Sequence, residues 1–364
     1  MRISRALGAV TAATVAAASL ATAGTALAGA ASAAPASTHH SHQPHWRVVH
    51  SGTGQYRGLA AVSSRIAWVA GTDGTDGQVL RTLDGGRHWS DVTPTGTEGL
   101  EFRDIEASDP WHAVALTIGE GDASRIYVTD DGGRHWSLAF RNTEPKAFYD
   151  CTAFYDRWHG LAMSDPVDGK FRILSTSDAG HHWRVLPSAG MPAAQTGEAG
   201  FAGSGTCLAT AGRTAYLASG GGAKARVYRS TDGGYHWSFV DTDVASSASA
   251  GIFSLAFRDP WHGIAIGGDY LVPDDAPHAL ARTADGGRSW PLADDAGAPG
   301  QYRSGSAWRD GRTVLVVGPT GSDISVDAGR TWTAFDTGTF DAVQCAHGAC
   351  WASGADARIG VLER

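Results

Sequence analysis

The sequence predicts an all-β fold, a seven-bladed β-propeller of four-stranded antiparallel blades, and three observations carry that prediction. A turn motif built on Asp, Gly and Trp occurs six times at blade-length spacing. A second turn containing Trp-His recurs upstream of several of these copies. Each end of the repeat array holds part of a blade.

The first motif reads Thr82-Leu83-Asp84-Gly85-Gly86-Arg87-His88-Trp89. It recurs around Asp131, Asp178, Asp232, Asp285 and Asp327, ending in Trp136, Trp183, Trp237, Trp290 and Trp332. Successive acids are 47, 47, 54, 53 and 42 positions apart, the length of one four-stranded blade. Each copy lies between short β-forming runs, such as Arg226-Val227-Tyr228-Arg229 and Trp237-Ser238-Phe239-Val240, and so reads as a hairpin turn. The carboxylate accepts hydrogen bonds from the turn's own N–H groups, Gly supplies a positive φ, and Trp lies over the turn. The six acids are therefore structural.

The second motif, at Asp109-Pro110-Trp111-His112, Asp156-Arg157-Trp158-His159 and Asp259-Pro260-Trp261-His262, links two apolar runs and reads as the turn between a blade's first and second strands. The two motifs together use eight of the 15 His residues, which argues against metal ligation as the reason for the His content. No metal and no cofactor is expected.

The blade count follows from the ends. Three strands, near 342–346, 349–353 and 358–362, follow the sixth motif before the chain stops. Near the start, Trp46-Arg47-Val48-Val49 matches the post-turn strand Trp183-Arg184-Val185-Leu186 but has no turn before it. The N-terminal strand is expected to complete the last blade, closing the ring and leaving no open edge.

Residues 1–33 read as a signal peptide, with Arg2 and Arg5 before an Ala/Val/Leu stretch and small-residue cleavage positions near residues 28 and 33. Residues 34–45, with His39, His40, His42 and His45, read as a flexible His-rich leader, and 46–364 as a single propeller domain. No later stretch is apolar for long enough to span a membrane. Of 29 basic residues, Arg2 and Arg5 fall in the signal, leaving 27 against 37 acidic residues with no basic cluster, which excludes nucleic acid as a partner. The mature chain is expected to be secreted and monomeric.

Four Cys allow three pairings. Cys345 and Cys350 flank a short turn, and repeat alignment puts Cys151 and Cys207 at equivalent positions of neighbouring blades. Pairing 345 with 350 and 151 with 207 is favoured, and buried free thiols are the alternative.

Both repeated turns share one face, so the irregular loops after second and fourth strands occupy the other, where binding is expected. Arg57, Arg103 and Arg303, flanked by Tyr56, Phe102 and Tyr302, are placed around the channel mouth. The candidate ligand-binding set adds Asp104, Tyr149, Asp150, Asp165, Glu198, Asp269, Tyr270 and Tyr302 to these arginines. Such a set either binds an anionic or polyhydroxylated ligand or satisfies itself as salt bridges lining a wet channel.

The repeated Ser/Thr-x-Asp-x-Gly-x-x-Trp turns resemble those of Asp-box (BNR) propellers, within the wider WD40/YVTN-like group. The blade layout over about residues 46 to 364 looks like the photosystem II stability/assembly factor family. Segments 146–150, 163–170, 197–207, 250–254 and 267–270 also resemble exported bacterial propellers labelled oxidoreductase or glycosyl hydrolase. The assembly-factor resemblance implies a protein-binding face bearing arginines, with Arg57, Arg103 and Arg303 as counterparts. A sialidase resemblance would instead ask for an Arg triad, a Tyr–Glu couple and an Asp acid, making Asp165, Glu198 and Tyr149 the candidate catalytic residues. Phe171-Arg172-Ile173-Leu174 lacks the Pro of the sialidase motif. Gly220-Gly221-Gly222 precedes a strand and is no phosphate cradle for a redox cofactor. The expected function is non-catalytic binding of a protein or a polar, anionic ligand at the loop face; the alternative is a glycoside hydrolase acting on extracellular glycans.

Overall fold

The computed structural model describes residues 43–363 apart from 295 and 296. The signal segment and His39, His40 and His42 of the leader lie outside the described residues. The chain enters the fold through β1 (His45–His50), so His45 begins a strand instead of ending a leader. Six blades follow in order. The first is β2 (Gln55–Ala61), β3 (Ala67–Thr72), β4 (Gly77–Thr82) and β5 (Ser90–Asp91). The second is β6 (Glu101–Ala107), β7 (Ala113–Ile118), β8 (Arg125–Thr129) and β9 (Ser137–Arg141). The third is β10 (Tyr149–Phe154), β11 (Gly160–Val167), β12 (Lys170–Thr176) and β13 (Arg184–Val185). The fourth is β14 (Leu208–Ala211), β15 (Thr214–Ala218), β16 (Arg226–Ser230) and β17 (Ser238–Asp241).

In the fifth blade β18 (Ala250–Phe257), β19 (Gly263–Asp269) and β20 (Leu280–Thr283) are regular, and the fourth position shrinks to a bridge between Ala281 and Leu292. Pro291 lies there and has no N–H for the ladder, although its carbonyl still accepts from Arg282 N at 3.1 Å. The sixth blade is β21 (Gly305–Trp308), β22 (Val314–Gly318), β23 (Gly321–Ser325) and β24 (Thr333–Asp336). The seventh takes β25 (Ala342–Ala346), β26 (Ala349–Ser353) and β27 (Ile359–Glu363) from the C-terminus, and β1 pairs antiparallel with β27, Trp46 opposite Leu362. Seven blades closed by the first strand are thus what the repeat array specifies.

The core lies in the seams between blades. Val114, Leu116, Ile126 and Val128 of the second blade pack on Tyr149, Ala162, Leu174 and Trp183 of the third. The motif Trp enters such a seam: Trp136 meets Trp68 of the preceding blade edge-on at 6.4 Å and donates from Nε1 to Val92 O, and Trp89 meets Trp351 at 6.1 Å. The sequence places this Trp over its own turn; the structure shows that it also welds its blade to the one before.

The aspartate turns behave alike. Asp84 Oδ1 accepts from His88 N at 3.0 Å and from the Thr82 hydroxyl at 3.1 Å, while Gly85 and Gly86 stand at φ 80° and 81°. The His88 ring lies 2.6 Å from Asp84 Oδ2, and this bond, with the backbone bond, holds the Asp84 pKa down at about 2. In the fifth and sixth blades the Ser289 and Thr331 hydroxyls donate to the Asp285 and Asp327 carboxylates instead, each at 2.7 Å. Turn neighbours therefore use both oxygens of these acids.

Both favoured disulfides are present. Cys345 and Cys350 face each other across β25 and β26 with Cα atoms 4.1 Å apart. Cys151 on β10 joins Cys207, just before β14, at a Cα separation of 6.1 Å, and stitches the third blade to the fourth.

Candidate functional site

The loops after second and fourth strands gather at one end of the channel around a pocket of about 620 Å³. Its chemistry comes from an irregularity shared by four blades. The ladder between first and second strands slips by one residue at Arg57 in β2, Arg103 in β6, Asp150 in β10 and Phe253 in β18. A slip of this kind leaves one residue unpaired and re-aims its side chain. All four of these residues line the pocket.

Arg103 Nη1 donates to Ala202 O at 2.7 Å and Nη2 to Glu101 at 3.0 Å, whereas its buried Nε has no hydrogen-bond partner. Arg57 is similar: its buried Nε lies 4.0 Å from Asp341 Oδ2, too far for a hydrogen bond. Burial, and then the charge of Arg57, lower the pKa of Arg103. Asp150 is buried with Oδ2 unpartnered; burial and the neighbouring Asp165 push its pKa well up, against the pull of Arg103. Asp165 accepts from Gly200 N at 2.8 Å, and burial raises it to about 6. Burial therefore opposes ionisation of both Asp150 and Asp165. Phe201, Phe253, Tyr270 and Tyr302 form an aromatic wall, Phe253 meeting Phe201 at 4.9 Å and Tyr302 edge-on at 4.7 Å.

Of the predicted set, Arg57, Arg103, Asp150, Asp165, Tyr270 and Tyr302 come together here. Five others do not. The Arg303 guanidinium is buried against Asp323 of β23 at 2.6 Å and donates to Thr320, because β21 starts only at Gly305 and Tyr302 takes the pocket position. The Glu198 carboxylate accepts from the Ser219 and Tyr228 hydroxyls at 2.6 and 2.9 Å and pairs with Arg226 at 3.3 Å, all away from the pocket. The Tyr149 hydroxyl accepts from Arg172 Nε at 3.2 Å, its ring packed edge-on against Phe140. Asp104 accepts from Thr152 N and Oγ1 at 2.6 and 2.7 Å, tying the second blade to the third. Asp269 accepts from Leu271 N at 2.9 Å, closing its own loop. The sialidase arrangement thus loses its Tyr–Glu couple and its third arginine.

Asp341 is a pocket residue the sequence reading missed. It accepts from Gln55 Nε2 at 2.6 Å, and burial raises its pKa against the pull of Arg57. The signal for it was present: Phe340-Asp341 repeats the aromatic-then-charged pair of Tyr56-Arg57, Phe102-Arg103 and Tyr149-Asp150 at the start of a first strand.

The raised carboxyl of Asp165 makes a stability prediction. The folded chain keeps its proton up to about pH 6, while an unfolded Asp loses it near pH 4, so stability falls as pH climbs between these values. The penalty above pH 6 is on the order of 3 kcal/mol. Asp165→Asn is expected to flatten this slope and to raise the urea midpoint at pH 7.5 but not at pH 4. An unchanged slope would mean that Asp165 does not carry the effect.

No protein-family model and no curated protein sequence matches the chain. Solved structures do. A structure described as YCF48 bound to D1 peptide aligns over 88% of this chain and 97% of its own, with TM-score 0.61 and 13% identity. YCF48 from Cyanidioschyzon merolae aligns over 87% and 98%, with TM-score 0.62 and 15% identity. The protein therefore shares its propeller fold with YCF48.

Proposed function

We propose that this protein is an exported, non-catalytic propeller that binds an extended polypeptide segment at the channel-mouth pocket, taking a ligand carboxylate on Arg57 and Arg103 and an apolar side chain against the aromatic wall. The observation that carries the reading is the pair of guanidiniums whose buried Nε–H groups have no partner within the protein. A buried donor left unpaired costs about 1–3 kcal/mol, which a ligand carboxylate relieves on binding. Asp150 supports this reading, since burial and Asp165 disfavour its charged form, the form that would repel an anion, and its Oδ2 has no partner within the protein. The similar YCF48 propeller is described as bound to a D1 peptide, which supports a polypeptide as the class of ligand. Export rests on the reading of residues 1–33. Among the described residues no helix is long and apolar enough to cross a membrane.

The test is selection of binders from a displayed random 12-residue peptide library on the immobilised protein, followed by fluorescence anisotropy. Selected peptides are expected to carry an Asp, a Glu or a free C-terminal carboxylate, and Arg103→Gln or Arg57→Gln is expected to weaken them roughly 10- to 100-fold, the worth of a charge-assisted hydrogen bond. Affinity should also be higher at pH 5.5 than at pH 7.5, because Asp165 adds negative charge to the pocket as it ionises near 6. Binding indifferent to both arginines would sink the proposal. Turnover of a glycan abolished by Asp165→Asn would replace it with the hydrolase reading.

A further inference from the structure

On the opposite face, three residues that depart from the repeat converge on one point. The turn residue before the motif Asp is Leu83, Ser177, Thr231, Ala284 or Val326 in five copies, and only the second blade places an acid there, Asp130. The residue after the last Gly of the turn is Arg87, Arg134, Tyr235, Arg288 or Arg330, and only the third blade has a His, His181. The third member is His112, from the Trp-His turn. In the equivalent turns His159 and His262 fold back on their own Asp156 and Asp259, Nδ1 to Oδ2 at 2.9 Å in each. His112 does not, although Asp109 accepts from Trp111 N and His112 N as its counterparts do. Its Nδ1 instead lies 2.8 Å from Asp130 Oδ1, and His181 Nε2 lies 3.3 Å from Asp130 Oδ2.

We infer that His112, Asp130 and His181 form a divalent transition-metal site bridging the second and third blades, with zinc as the ion it fits best. The candidate ligand atoms all lie within 4.8 Å of one another. Ligand atoms at about 2.0–2.1 Å from a tetrahedral zinc stand roughly 3.3 Å apart, so small side-chain adjustments bring the three into its coordination sphere. Two imidazoles and one carboxylate suit zinc, cobalt, nickel or copper and not calcium or magnesium, which prefer all-oxygen sets. The His112 side chain is 10% exposed, fixing one ligand, while Asp130 and His181 are 62% and 39% exposed, leaving room for water to complete the shell. The repeat supplies an internal control: the other His residues of these turns contact acids within their own turn, and this constellation alone among the described residues offers three metal ligands together.

The experiment is a zinc chloride titration of the full chain by calorimetry. It is done in a background where His39, His40 and His42 are replaced by Gln, so that the His-rich leader does not contribute. One equivalent of zinc is expected to bind and to raise the thermal midpoint, with EDTA reversing the shift. His181→Arg and Asp130→Ser each install a residue another copy of the repeat already uses, so both chains should fold, as circular dichroism will check. Each is expected to weaken zinc more than about 10-fold, since even residues supporting a ligand are worth that much, and to abolish the thermal shift. Absence of zinc uptake, or unchanged uptake by both variants, would overturn the inference and leave the three side chains as an ion-paired clamp between blades. Should one variant fail to fold, the other decides.

Discussion

Replacing Trp46 by alanine is expected to destabilise the propeller by about 3–5 kcal/mol, the loss typical of a fully packed Trp. Trp46 is 5% exposed, its Nε1 donates to Ser322 Oγ at 2.9 Å, and its ring packs on Phe335 and Phe340 at 5.9 and 5.6 Å. Its backbone N–H donates to Asp336 at 3.0 Å, so one residue joins the first strand to both the sixth blade and the seventh. Because β1 is the outer strand of the last blade, the variant exposes an edge as well as a cavity, and unfolding should become concentration-sensitive through aggregation. The urea midpoint measures it. The exposed Trp158, which contacts Arg157 only through a cation–π approach at 5.2 Å, is the control, with an expected loss of about 1 kcal/mol or less on Trp158→Ala. Equal effects at the two positions would mean that Trp46 does not close the ring.

Removing the Cys151–Cys207 bridge as the double Cys→Ala variant is the other large expected effect. The bridge spans 56 positions of sequence, and constraint of the unfolded chain over a loop of that size is worth about 4 kcal/mol. The Cys345–Cys350 bridge spans 5 positions, and the same reasoning gives roughly 2 kcal/mol. Denaturation of the two double variants under oxidising conditions is therefore expected to rank them, with the 151/207 pair the more costly. Both Cys151 and Cys207 are fully buried in the seam between the third and fourth blades, so slow reduction by dithiothreitol in the native state is also expected. The reverse ranking would show that native packing, and not chain constraint, controls their contribution.

Legibility of the candidate site was uneven, for reasons visible in particular residues. The aromatic-then-charged pairs Tyr56-Arg57 and Phe102-Arg103 pointed to the channel mouth, and their two arginines line the pocket. The same pattern at Tyr302-Arg303 pointed there too, yet the two residues exchange roles, because Asp323 waits on β23 to take the guanidinium. Glu198 read as a ligand-binding or catalytic loop acid; three donors from the fourth blade hold it buried instead. Sequence shows that a charge is present but not which partner a turn of backbone brings within 3 Å of it.

By itself the sequence determined the architecture: repeated turns at blade spacing set the number of blades, and the three strands at one end and single strand at the other require the N-terminal strand to close the ring. This is legible because turn geometry and strand alternation are local properties, set by Asp, Gly and Trp within a few residues of each other. Tertiary structure alone decided which charges face the pocket, which carboxyls burial pushes up and which histidine abandons its own turn for Asp130. Those outcomes depend on one-residue register slips and on burial by a neighbouring blade about 50 residues away in sequence. A slip of one residue reverses the direction of a side chain without changing the residue pattern that any local reading can use.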